Sequence, residues 1–558
     1  MNLFECCAAG KQLYMSLEKR YKVGMKTNSP CDATVCKTLE EALAHLDKTL
    51  FVYRKGTALS FVVEFWKGGK ILTVPDEAQL LAVAPPCLPS ELGDVSFCTD
   101  LRISFPCYAG SMAHGISSAQ LVQSMATAGM LGFYGTAGLS LEDLERVITH
   151  LSHQCRGKAF GVNLLNSPDD SSREYRVVEL LLKHNVQLVE ASAYIVPTPA
   201  LVKYRVKGIK KAAGGMVEAH NHLIAKVSRL EIARRFLEPP PLKVLEQLRT
   251  NGEITPEEAD LGRNLPLAQY ITVEADSAGH TDHRPALSIF PAVKDLAREM
   301  HSKHKYDKSL KVGLAGGMGT PSAAAAAFSM GAAYIVTGSI NQACLESGTS
   351  SQVRTLLAQA AQTDVTNAPA ADLFERGGTV QVLKKGTRFA ERARKLHVLF
   401  LKYDSIDDIP RDQRYDLEEI VFQKSFEDIW QETQAFFKKI NPRQLDIAAK
   451  YPKHKMALIF RWYLGNAVKW ACSGESNHID DYQIWCGPAM GAFNDWAHGT
   501  FFEDPAMRSA PLVALNLLYG AALLLRLEIL RAQGVSVENC QIPCPVHTFP
   551  KFMSTQEQ

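Results

Sequence analysis

Between residues 103 and 339 the chain repeats one pattern, a short unbroken apolar run followed by a longer stretch with apolar positions at helical spacing. The runs are "ISFPCYAG" (103–110), "MLGFYG" (130–135), "AFGVNLL" (159–165), "QLVEAS" (187–192), "HLIAKVS" (222–228), "YITVEA" (270–275), "KVGLAGG" (311–317) and "AYIVTGS" (333–339). Strands buried on both faces read as continuous apolar runs, whereas strands with one wet face alternate. Helix-start signals fall between the runs. Ser118 precedes "AQLVQSMATAGM", Ser140-x-x-Asp143 resembles a capping box before "LERVITHL", and Ser171 opens "SREYRVVELLLKHN". Eight successive strand-then-helix units predict an α/β chain whose residues 101–345 form a (β/α)8 TIM barrel.

The flanks read differently. Residues 1–100 carry short strand-like runs around glycine turns and predict a small N-terminal β-rich appendage. Residues 237–267, rich in proline and charge, predict an insertion between the fifth and sixth strands, a helical lid or hairpin. Residues 346–400 read as a connecting segment, and 401–558 as a C-terminal helical domain. The longest apolar run, "SAPLVALNLLYGAALLL" (509–525), falls short of the roughly 20 residues of a membrane span and contains Pro511 and Asn516. It predicts a buried helix rather than a membrane crossing.

Composition narrows the class without deciding it. The chain of 558 residues is 46% hydrophobic and 22% charged, and 61 basic against 59 acidic residues leave a net charge of +2. That balance gives no support to nucleic acid as a partner. The first twenty residues lack the basic-then-apolar order of a secretory signal, and thirteen cysteines show no repeating framework. The expectation is therefore reduced thiols and a cytoplasmic location.

The candidate chemistry sits at the ends of the apolar runs. In "AGGMGTPSAAAAAFSMGAAYIVTGS" (315–339), glycines follow two successive strands. A dinucleotide-binding fingerprint needs a third glycine where Ser322 stands, and an acidic residue about 20 positions on, which is absent. A barrel instead cradles one phosphate with the loops after its seventh and eighth strands, which are the ordinals these two strands hold. Ala315, Gly316, Gly317, Gly338 and Ser339 are the predicted phosphate site, because a main chain without Cβ atoms can approach the oxygens closely. One phosphate suggests a mononucleotide such as FMN. Gly110, Ser111 and Met112 after the first strand would then run beside the ring, Asn163 would meet its pyrimidine edge, and Lys226 would place charge near N1. Plainer roles stay open: a turn cap for Asn163 and a salt-bridged rim for Lys226. Gly279 and His280 follow the sixth strand, and the histidine is the candidate catalytic group, with a solvated loop histidine as the bland alternative. His280-x-x-His283 with Asp282, and Cys540, Cys544 and His547, imitate metal spacing without a complete ligand set, so no metal is expected.

Together, "GSMAHGISSAQLVQSMATAGMLGFYGTAG", "FGVNLLNSP", "AGHTDHRP", the glycine segment above and "WCGPAMGAFNDW" resemble the PfaD-type enoyl reductases. These are trans-acting, FMN-dependent reductases of polyunsaturated fatty acid synthases and trans-acyltransferase polyketide synthases. Their wider superfamily includes the nitronate monooxygenases and FabK-type enoyl reductases. Two substitutions separate the chain from the superfamily pattern: Ala278 precedes Gly279-His280 where a glycine is usual, and Ser111 stands in the loop that normally reads Gly-Gly-Met. The resemblance implies that NADPH or NADH reduces FMN, which then reduces the 2,3 double bond of an enoyl thioester on acyl carrier protein. It implies that His280 activates the substrate or donates a proton, with water as the rival donor, and it implies a homodimer. Two competing functions remain at this level, a nitronate monooxygenase-like oxidase and a non-catalytic barrel that scaffolds a synthase. The basic stretch "VLKKGTRFAERARK" reads either as a dock for an acidic carrier protein or as a solvated charged face.

Overall fold

Eight parallel strands close into a barrel in the computed structural model, which describes residues 34–64, 78–167, 170–212, 214–537 and 543–553. The strands are β1 (Cys107–Ala109), β2 (Leu131–Tyr134), β3 (Gly161–Leu165), β4 (Leu188–Ser192), β5 (His222–Val227), β6 (Tyr270–Glu274), β7 (Lys311–Ala315) and β8 (Ile335–Thr337). Each falls inside one of the eight apolar runs, and β8 pairs with β1 through Ile335↔Cys107 to complete the ring. Helix starts follow the expected chemistry: the Ser118 and Ser140 hydroxyls accept from the N–H groups of Leu121 and Asp143. The cap before Ser171 is Asp170, one residue earlier than the sequence suggested. Cys540 lies outside the described residues.

The barrel interior is filled by side chains, as an eight-stranded barrel requires. Tyr108, Phe133, Tyr270 and Tyr334 fill its lower half. The helix Val95–Leu101 plugs the N-terminal end with Phe97, whose ring stacks on Tyr334 at 4.1 Å. All polar access is thereby left to the opposite end, where the strands' C-termini open.

The insertion folds as helices Leu242–Thr250 and Pro256–Gly262, joined in a hairpin. It does not form a lid. Leu245, Leu248 and Ala259 are buried in the barrel's outer helical layer, and the Glu258 carboxylate accepts from the Gly208 N–H at 2.8 Å, anchoring the hairpin beside the helix Pro199–Val206. None of residues 237–267 lines the barrel mouth. Apolar burial and this anchor hold them on the barrel's flank.

Before the barrel, residues 34–64 and 79–84 supply a four-stranded antiparallel sheet with one helix. After it, the segment expected to be a connector contains the helix Ser351–Ala358, a hairpin of β9 (Val365–Pro369) and β10 (Thr379–Leu383), and the start of the helix Phe389–Lys402. The C-terminal region is helical. Its helix Ala510–Ala532 is long and apolar enough to cross a membrane by length and composition. Here it packs on the helix Pro321–Ser329, with Val513, Ala514, Leu517, Leu518, Ala521 and Ala522 buried in the core shared with the barrel.

Candidate active site

The strand C-termini open into a cavity of about 680 Å³, within the range of about 300–1,000 Å³ usual for small-molecule sites. Every residue of the predicted phosphate, flavin-ring and catalytic set lines it: Gly110, Ser111, Met112, Asn163, Lys226, Gly279, His280, Ala315, Gly316, Gly317, Gly338 and Ser339.

The ends of β7 and β8 lie side by side, with Ala315 opposite Val336. Their glycines divide by task. At Gly316 (φ +87°) a Cβ would come within 2.8 Å of Ala275 C and Asp276 O, so this glycine serves the close approach of the β6 end. Gly317 (φ +75°) and Gly338 have no heavy atom within 4 Å of where a Cβ would sit, which leaves open space at both loop backbones. Gly338 also caps the short helix Ser339–Gln342, and Thr320 caps the helix Pro321–Ser329 after the Gly317 loop. Backbone N–H groups without partners are concentrated at such starts, which favours an anion. The Ser339 hydroxyl accepts from the Gly487 N–H at 3.1 Å and so ties this corner to the C-terminal region.

Under the opposite side of the cavity lies a carboxylate that the sequence pattern did not single out. Glu190, on β4, has no solvent exposure and accepts from the Ser111 N–H (3.2 Å), the Ser111 hydroxyl, the Asn163 Nδ2 (3.3 Å) and the Tyr108 hydroxyl (3.2 Å). Asn163 Nδ2 also donates to Glu190 O and to Ser192 Oγ. With the amide nitrogen committed below, the Asn163 carbonyl oxygen is left as the acceptor for a ligand. Lys226 Nζ pairs with Glu274 Oε1 at 3.0 Å. Burial opposes its charge, but Glu274 and Glu190 outweigh burial and push the Lys226 ammonium above the ordinary lysine value. The residue is therefore both salt-bridged and a cavity wall.

The loop after β6 is clamped from above. Gly279 and Gln381 of β10 exchange backbone hydrogen bonds at 3.0 and 2.7 Å, and the Gln381 side chain donates to Asp276 Oδ1 and Ser277 O. His280 Nε2 meets Asp372 Oδ1, from the hairpin's turn, at 3.2 Å. That contact raises the His280 pKa against the opposing effect of burial, so the imidazolium persists to higher pH than in a free histidine. His280 lines the cavity, and its Nδ1 has no hydrogen-bond partner among the described residues. Asp282 pairs with Arg229, which holds its carboxyl down at about 2, while His283 pairs with Asp276 at 2.7 Å. The apparent metal triplet thus splits among three separate partners, and no group of three His, Cys, Asp or Glu residues suited to a metal occurs among the described residues.

The C-terminal region supplies Trp485, Gly487 and Ala489 to the cavity wall, and the hairpin supplies Leu373, Gly378 and Thr379. Phe493 and Trp496, from the same motif as Trp485, instead pack with Phe502 away from the cavity. The basic stretch is largely committed within the fold: Arg392 pairs with the buried Asp481, Arg394 donates to Asn367 O, and Lys385 meets Asp364.

Comparison with known proteins follows this geometry. The enoyl reductase domain of MlnA, from the macrolactin biosynthesis cluster of Bacillus amyloliquefaciens, superposes with a TM-score of 0.76 at 37% identity, over 79% of this chain and 99% of that one. A polyunsaturated fatty acid synthase component from a Thraustochytrium species is 42% identical over 512 residues, covering 90% of this chain and 34% of that protein. The polyketide biosynthesis protein PksE of Bacillus subtilis is 43% identical over 454 residues, covering 81% and 59%. The chain thus spans from about a third to three-fifths of the length of these two relatives. Residues 403–482 also match the family described as the inserted helical domain of [acyl-carrier-protein] S-malonyltransferase.

Proposed function

For a chain that belongs to the family of the MlnA enoyl reductase domain, we propose the activity of a PfaD-type enoyl reductase: FMN-dependent, supplied by NADPH or NADH, and acting on enoyl thioesters held by an acyl carrier protein. The observation that carries this reading is the convergence of the twelve residues picked for cofactor and catalysis on one cavity at the C-terminal mouth of the barrel.

The residues present suit FMN. Open backbone at Gly317 and Gly338, beside two helix starts, suits its phosphate. The flavin pyrimidine edge offers an N–H between two carbonyl oxygens, which fits the outward oxygen of Asn163 and the ammonium of Lys226. When bound, flavin supplies two-electron hydride transfer between the nicotinamide and the double bond.

The chain's own residues do the rest. Hydride addition to the β-carbon leaves negative charge on the thioester oxygen and a demand for a proton at the α-carbon. His280, held as imidazolium by Asp372, donates through Nδ1 to that oxygen or to the α-carbon. The β10 clamp on Gly279 and Asp276 fixes the loop that carries it. Trp485, Leu373 and Ile195 give the cavity apolar walls for an acyl chain, and the insertion 237–267 has no part in them. In this reading residues 101–345 are the catalytic barrel, the hairpin and helical region roof it, and the enzyme works in the cytoplasm as a homodimer.

Anaerobic mixing with NADPH tests the proposal. Bleaching of bound flavin, followed by its recovery on adding crotonyl thioester, is the expected result. Recovery only on admitting oxygen would make the protein an oxidase, and absence of flavin would leave a scaffold.

A further inference from the structure

Glu190 is buried directly beneath the cavity floor and takes no part in the chemistry described so far. Its surroundings are lopsided. Donors from the loop after β1 (Ser111 N–H and hydroxyl), from β3 (Asn163 Nδ2) and from β1 itself (Tyr108 hydroxyl) all converge on one carboxyl group. An ionised carboxyl only accepts hydrogen bonds, so this ring of donors suits the anion.

Two consequences follow from that placement. The first concerns orientation. Glu190 draws the Ser111 N–H and the Asn163 amine downward, which turns the Asn163 oxygen outward and leaves the Ser111 amide unavailable to a ligand above. The second concerns charge. The ammonium of Lys226 is set between Glu274, at 3.0 Å, and the field of Glu190. Two carboxylates against one ammonium give the floor one formal negative charge in excess, in a buried setting where charge acts strongly.

We propose that Glu190 is a positioning residue that locks Ser111 and Asn163 beneath a bound flavin and holds the flavin's reduction potential down. The inference rests on the flavin reading above. Reduction brings electrons to the ring, so a negative floor disfavours the reduced form relative to the oxidised one. Lys226 alone would act in the opposite sense. The balance between them keeps the reduced flavin a strong donor toward an enoyl thioester, whose reduction is the step the enzyme must drive.

The test loads wild type, Glu190→Gln and Ser111→Ala with FMN and measures the dissociation constant and, by anaerobic dithionite titration against a reference dye, the midpoint potential. Glu190→Gln removes the charge while keeping the shape. Its affinity for reduced over oxidised flavin is expected to rise about tenfold relative to wild type, an upward shift of about 30 mV for a two-electron couple. Ser111→Ala removes a hydroxyl that disperses the charge of Glu190, so its midpoint is expected to fall. If Glu190→Gln fails to fold, the sign of the Ser111→Ala shift decides alone. Flavin-loaded variants with the wild-type midpoint, or a Ser111→Ala midpoint that rises, overturn the inference and leave the flavin reading standing. A wild type that takes up no FMN overturns both.

Discussion

In the proposed reaction His280 depends on a residue 92 positions away in sequence. Asp372 holds the imidazolium, so a step that needs the charged form proceeds fully at low pH and fails as pH rises through the raised pKa. Asp372→Asn removes the cause of the rise. The alkaline limb of the enoyl half-reaction is then expected to move to lower pH, while flavin reduction by NADPH keeps its profile. His280→Ala should abolish the limb and slow the enoyl step by roughly 10²–10⁴, the usual contribution of a general acid. Stopped-flow rates across pH check this, and an unmoved limb in Asp372→Asn would remove the pair from the mechanism. At this scale the sequence was partly legible. Glycine, asparagine, lysine and histidine at strand ends announced themselves because catalytic groups of barrels sit there. Asp372 and Gln381 did not, since each reaches the mouth only through tertiary contacts that no local pattern encodes. Glu190 left one signal, a lone acid inside the apolar run "QLVEAS", which reads as tolerated polarity until its partners are seen.

At the level of elements, the eight strands were readable because burial on both faces writes unbroken apolar runs. The hairpin β9–β10 was not. Its first strand, "VTNAP", is polar and partly exposed, and proline and asparagine argue against a strand in any scale of β preference. Tertiary pairing with "TVQVL" overrides that preference. The insertion misled for a related reason: proline-rich, charged helices announce a surface hairpin but not which surface it covers. Gly316 supplies the element-scale prediction. A Cβ there would collide with the backbone at the end of β6, and the φ of +87° adds strain. Gly316→Ala is expected to destabilise the fold by about 2–5 kcal/mol, the sum of left-handed strain and overpacking. Urea unfolding of the cofactor-free protein measures this, and a change below about 0.5 kcal/mol would mean that the β6–β7 contact is loose.

Across the whole molecule, the barrel's mouth is assembled from three stretches far apart in sequence, and its back is braced by the apolar helix Ala510–Ala532. From that helix the buried Arg526 donates to the carbonyls of Leu43, His45 and Lys48, fastening the N-terminal sheet. Arg526→Ala strands those carbonyls, at a cost of about 1–3 kcal/mol. Faster proteolysis within residues 34–64 is expected, with FMN affinity unchanged, because the sheet lies away from the mouth. Loss of FMN along with the sheet would contradict that separation. The pairing of barrel and roof also explains why one cavity contains motifs from both halves of the chain: the β6 loop, the Ser339 corner and the β10 clamp interlock through Gly279, Gln381 and Gly487.

The central claim is that the β7 and β8 loop backbones jointly hold a flavin phosphate, and Gly338 isolates it. A methyl group there meets no protein atom within 4 Å, so Gly338→Ala should fold as the wild type does while occupying the space the phosphate needs. Equilibrium binding of FMN and riboflavin to both proteins, with thermal unfolding as the control, is the most direct measurement. The account predicts that wild type prefers FMN to riboflavin and that Gly338→Ala loses roughly tenfold or more of its FMN affinity, about 1.4 kcal/mol, at an unchanged melting temperature. Equal FMN affinity in the two proteins, or a wild type indifferent to the phosphate, would contradict it.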